Sequence, residues 1–190
     1  MELGVLELYL IVINVIGFFA FTLNCWTDLE IDAWVTNIAV LGGSLGIVIA
    51  ILCFYRRSDK EVMMSRVFVA CILVIQIILY LIIKGHIQTN ITLRFWEFFG
   101  DHPIFKWYLI LINFISLIVY GVDKLAAIEH RGRIRIVTLL SLAFFGGSIG
   151  AIFAMYLFRH KTLTDYFTIG VPLIMIMQVV VLFYLMNGSI

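Results

Sequence analysis

Apolar residues in this chain dominate six long stretches, at 5–23, 33–54, 67–83, 107–122, 136–158 and 166–186, separated by short polar segments. A helix needs about 20 apolar residues to cross a hydrocarbon core, so each stretch is long enough or nearly so. Spanning barrels are written in short segments of alternating polarity, which leaves the helix as the spanning form here. The pattern predicts an all-α integral membrane protein of six transmembrane helices. Little sequence remains for a soluble domain.

The same pattern is written twice. YLIVIN at 9–14 returns as YLILIN at 108–113, GGSLG at 42–46 returns as GGSIG at 146–150, and Gln76 and Gln178 hold comparable places in the third stretch of each half. Order and spacing together mark an internal duplication. The expected division is 1–84 for repeat one, 85–106 for a connector and 107–190 for repeat two. Within the connector, ITLRFWEFF at 91–99 is aromatic, charged and too short to span, and it reads as a helix lying along the interface. Three spans per half is an odd number. With a connector that does not cross, the second half enters from the opposite face, and the expectation is two inverted three-helix repeats.

Composition agrees: 63% of residues are hydrophobic and 13% charged, far from a soluble average. The formal net charge of +1 and the absence of a basic tail give no reason to expect a nucleic-acid partner. Glu2 and Glu7 stand where a signal peptide would be cationic, so the first helix is expected to stay. Cys25, Cys53 and Cys71 have no paired or metal-type spacing, and the four histidines are scattered. No metal and no cofactor is expected.

Charge placement sets the orientation. With the N-terminus in the cytoplasm, Arg56, Arg57, Lys60, Arg66, Lys124, Arg131, Arg133 and Arg135 lie inside, and Lys84, Arg94, Lys106, Arg159 and Lys161 outside. Both termini are then cytoplasmic. That arrangement leaves Arg159 and Lys161 against the rule. A re-entrant hairpin broken at Gly146-Gly147 would return both basic segments of the second half to one face. The length of the fifth stretch favours a full crossing.

Three sets of residues stand out. Gly42, Gly46 and Ala50, repeated as Gly146, Gly150 and Ala154, place small side chains on one helix face, where a second backbone can approach. Spans two and five are expected to meet through them. Asn14, Asn113, Gln76 and Gln178 are amides within apolar stretches, and each needs a partner there, either another helix or a polar path through the bundle. The third set is cationic and belongs to the second half: Asp123-Lys124, Arg131, Arg133, Arg135 and then Arg159-His160-Lys161-Thr162. Under full crossing these groups face opposite membrane surfaces and would attract anions to each mouth. Repeat one carries Asn24-Cys25 and Tyr55-Arg56-Arg57-Ser58 instead, so a site built on this set is asymmetric.

D-K at 123–124, RIRI at 133–136, GGSIGA at 146–151 and FRHKT at 158–162 resemble a small bacterial inner-membrane family catalogued as domain of unknown function 1294. The resemblance covers about 107–186, with repeat one as a degenerate copy. It departs at Val137-Thr138, where the family often has Pro-Glu. It implies an inner-membrane location and no activity.

The reading drawn from the residues is a transporter or channel for a small anionic solute. The alternative is a non-catalytic protein that uses the same cations to bind anionic lipid or a partner subunit, or to assemble with copies of itself. No nucleophile and base pair, carboxylate dyad or metal cluster is legible, so an enzyme is not expected.

Overall fold

The computed structural model describes residues 4–26, 32–54, 60–87, 91–129 and 132–188. Arg56, Arg57, Asn90 and Arg131 lie outside them, as do the side chains of Cys25 and Lys60. Two compact units form, Met1–Leu79 and Tyr80–Ile190. The division falls within a helix, slightly before residue 84.

Unit one holds α1 (Val5–Trp26), α2 (Asp32–Ile38), α3 (Ser44–Phe54) and most of α4 (Lys60–Ile83). Between α2 and α3 lies a wide turn, Ala39–Gly43, in which Gly42 takes φ +122°. Only glycine holds that conformation without steric cost, and it ends α2 there. Beyond the turn, α3 follows α1 in the same direction. Gly42 faces Tyr9, Leu10 and Ile13, Gly46 sits on the Asn14 backbone, Ile47 on Gly17, and the rings of Phe54 and Phe18 meet at 5.9 Å.

A helix that comes after α1 and still runs parallel to it requires a returning segment between them, and α2 is that segment. The second apolar stretch is therefore a hairpin. Phe21, Val35, Ala39, Ile47, Ala50 and Val69 form its core.

Unit two repeats the design. After α5 (Phe95–Asp101) come α6 (Pro103–Ile128), α7 (Ile136–Leu142), the turn Ala143–Gly147, α8 (Ser148–Leu157), the short α9 (Asp165–Thr168) and α10 (Gly170–Asn187). Gly146 takes φ +116°. Its neighbours are Tyr108, Leu109 and Ile112; Gly150 rests on the Asn113 backbone, and Phe158 lies against Gly121. So α8 runs parallel to α6, with α7 as the return. At the far end of α10, Asn187 donates to the Thr92 carbonyl and accepts from the Thr92 amide at 2.7 Å, beside a lone antiparallel bridge between Ile87 and Gly188.

Six stretches among the described residues are long and apolar enough to cross a membrane, and two of them, Trp34–Phe54 and Ile136–Leu157, are folded back on themselves. A straight helix of 22 residues would hold its ends about 33 Å apart. Instead, Leu139 and Phe158 touch the adjacent residues Tyr120 and Gly121.

This corrects three expectations. The 136–158 stretch is a hairpin, not a crossing. With two long helices and one hairpin per unit, the odd span count that implied inverted repeats is gone. The glycine stripes, expected to face another span's glycines, instead meet the first long helix of their own unit, where a Cβ on Gly46 or Gly150 would overlap the Asn14 or Asn113 carbonyl oxygen.

Candidate functional site

A hairpin inside an apolar layer leaves helix ends that water would otherwise satisfy. The four amides take that place. Gln178 Nε2 donates to the carbonyls of Ala143 and Phe144 at 2.6 and 3.0 Å, where α7 ends, while its Oε1 accepts from Ser148 Oγ. Asn113 Oδ1 accepts from the Gly150 amide at 2.7 Å, near the start of α8, and its Nδ2 donates to Gly146 and Leu109. Tyr108 donates to the Phe145 carbonyl.

Unit one carries the same set. Gln76 donates to Ala39 and Val40 and accepts from Ser44, Asn14 accepts from the Gly46 amide at 2.8 Å, and Tyr9 donates to Leu41. The amides thus bond helix to helix, the first of the two roles open to them. Of the groups at the tip, Ser116 Oγ is buried beside Gly147 with no hydrogen-bond partner among the described residues.

The open end of the unit-two hairpin holds the other polar group. Asp123, near the end of α6, is fully buried. Its Oδ1 accepts from the Ile134 amide at 3.0 Å, just before α7; its Oδ2 meets Lys161 Nζ at 2.8 Å and His160 Nε2 at 3.0 Å, just after α8. One carboxylate ties together both feet of the hairpin. Lys161 also lies 4.6 Å from the centre of the Phe167 ring, and Phe167 meets Tyr120 edge to face, so the ammonium is held between a carboxylate and an aromatic wall.

Local backbone explains how FRHKT delivers these groups. The Arg159 amide bonds Tyr156 and the His160 amide bonds Met155, the two closing bonds of a Schellman cap, with Arg159 at the left-handed position usually given to glycine. Arg159 has φ +45° and Lys161 φ +61°. An L residue there costs about 1–2 kcal/mol. Gly85, at φ +83°, ends α4 with the same pair of bonds at the ordinary cost of a glycine. The chain keeps long cations where glycine would be cheaper.

Of the residues singled out in the sequence, Asp123, His160 and Lys161 come into contact. Lys124, Arg133, Arg135 and Arg159 belong to the same segments: Lys124 follows Asp123, Arg133 and Arg135 flank Ile134, and Arg159 precedes His160. None of these four makes an ion pair among the described residues. Thr162 is half-buried in the turn that follows. The two basic segments, expected on opposite surfaces, meet at one end of the unit. The sequence did not single out Tyr120, Phe167 or the Ile134 amide, although Ser44, Ser148, Tyr9 and Tyr108 stood inside its repeated words.

Comparison with known proteins bears on this half of the chain. A family model described as "Protein of unknown function (DUF1294)" matches residues 113–167, which include Asp123 and the whole hairpin. The uncharacterized protein YsdA of Bacillus subtilis (strain 168) is 37% identical over 75 residues, covering 84% of that protein and 40% of this chain. No solved structure matches at a significant level.

Proposed function

Because the chain belongs to the DUF1294 family, described only as proteins of unknown function, we propose its role from the site: a non-catalytic membrane protein that binds an anionic group at one face, through the cations at the unit-two hairpin mouth. The observation that carries this is the double attachment of Asp123, whose buried, already neutralised carboxylate brings the segments that bear Lys124, Arg133, Arg135 and Arg159 to one end of the unit. Cations without carboxylate partners at an interface attract phosphates and other anions, at about 1 kcal/mol each.

The charges of unit two support a location in the bacterial inner membrane with the mouth on the cytoplasmic side. The mouth carries Lys124, Arg133, Arg135, Arg159 and Lys161, against Lys84, Arg94 and Lys106 at the other end, and by the positive-inside rule the more cationic end is the cytoplasmic one. The far end of unit two, where α10 finishes at Asn187, then lies outside, the reverse of the orientation expected from six crossings.

The test is anion binding by the purified protein in nanodiscs. Arg133→Ala with Arg135→Ala is expected to weaken affinity for inorganic phosphate about tenfold or more. Unchanged affinity removes the proposal. A second reading, transport of a small anion, draws support from broken helices inside each apolar unit, an arrangement that lines solute paths in transporters. Against it, the amides that could line such a path are occupied in capping. Flux of chloride or phosphate into proteoliposomes, lost in Lys124→Ala, favours transport; binding without flux favours the first reading.

A further inference from the structure

The cations at the hairpin mouth are bordered by apolar side chains that nothing else in unit two covers. Leu163, two residues past Lys161, is 97% exposed, and Tyr156, Leu157, Leu125 and Ile128 on the adjoining turns of α8 and α6 are all more than half exposed. A free anion would engage the arginines alone. A phospholipid would engage the arginines and this apolar border together.

We propose that the mouth of the unit-two hairpin is a binding site for one phospholipid with an anionic headgroup. Arg159, Arg133 and Arg135 hold the phosphate, and Leu163 and Tyr156 lie along the first carbons of the acyl chains. The inference rests on the anion reading above and narrows it to a ligand that brings its own apolar tail.

The backbone of FRHKT supports the assignment. Arg159 and Lys161 occupy left-handed positions on either side of His160, and they differ in exposure. Lys161, 15% exposed, turns in to Asp123 and completes its neutralisation. Arg159 stays exposed, with no protein partner among the described residues. Strain of this kind persists where the surrounding structure enforces it and clusters at ligand clamps. Folding alone would be served better by glycine at 159, and the arginine head is the part of the residue that remains to be explained. A planar guanidinium matched to a phosphate explains it.

The experiment uses the full-length protein in detergent, challenged with equal phosphatidylglycerol and phosphatidylcholine and read by native mass spectrometry, with inorganic phosphate binding measured alongside. Wild type is expected to retain phosphatidylglycerol at least fivefold over phosphatidylcholine. Arg159→Gly relieves the backbone strain, so its melting temperature should equal or exceed wild type while that preference falls about fivefold, the contribution of one interfacial cation. Leu163→Ser should lower lipid retention and leave inorganic phosphate affinity unchanged. Equal retention of the two lipids, or retention indifferent to both substitutions, overturns the lipid inference. If phosphate still binds in an arginine-dependent way, the broader anion reading survives that result; if phosphate binding is also indifferent to Arg133 and Arg135, both fall.

Discussion

A buried carboxylate keeps its place only if each oxygen is matched, and Asp123 is matched by three donors from two chain segments. Removing it harms more than one contact. Asp123→Ala would strand the Lys161 ammonium against Phe167 in a poorly solvated site, and breaking a buried pair from one side costs about 3–5 kcal/mol. It would also unpin both feet of the hairpin. We expect a large drop in melting temperature in detergent for Asp123→Ala, and partial recovery when Lys161→Met is added, since the second change removes the stranded charge. If the double variant melts below the single one, Lys161 is held by something other than Asp123. Sequence alone placed Asp123 and Lys161 in one set of interest but on opposite surfaces, because nothing in the residues themselves says that a carboxylate at 123 can reach position 161.

At the scale of helices, the fold depends on two glycine positions per unit that do different things. Gly146 supplies a backbone conformation, and Gly150 supplies space: a methyl group there would overlap the Asn113 carbonyl oxygen of α6. Gly150→Ala must push α8 away from α6 and strain the bond between the Gly150 amide and Asn113, so a loss of about 3 kcal/mol is expected. Gly132 has nothing within 4 Å of its would-be Cβ, and Gly132→Ala should change stability by less than about 0.5 kcal/mol. Chemical or thermal unfolding of the two variants in one detergent checks the contrast.

The glycines, the amides and the duplication were all legible in the repeated words of the sequence. The fold-back was not, because 22 apolar residues suit a crossing as well as a hairpin, and hydropathy carries no record of direction. What distinguishes the two is the run of amide and tyrosine partners at the turn. YLI-x-IN, GGS and the glutamine are the parts of one cap for a broken helix, and their recurrence as a set in both halves was the available signal.

For the molecule as a whole, the hairpins change what the charges say about orientation. Read as six crossings, the chain puts eight cationic residues on one side and five on the other. Read as two long helices and a hairpin, unit two separates Lys84, Arg94 and Lys106 from Lys124, Arg133, Arg135, Arg159 and Lys161. Trp107, near the start of α6, is 67% exposed, and sixteen residues on lies Asp123. At 1.5 Å per residue that separation is about 24 Å, most of the roughly 30 Å of a hydrocarbon core. The aromatic end, with Trp96 and Trp107, and the cationic end therefore suit opposite interfaces. Single cysteines at 133, 163 and 107 in a background free of native cysteines test this directly, with a thiol reagent that cannot cross the membrane applied to intact cells and to inverted vesicles. Positions 133 and 163, both exposed, should react from the cytoplasmic side and 107 from the other. Reaction of 133 and 163 from opposite sides would mean that the 136–158 stretch crosses the membrane, and the cations of the two basic segments could then no longer form one site.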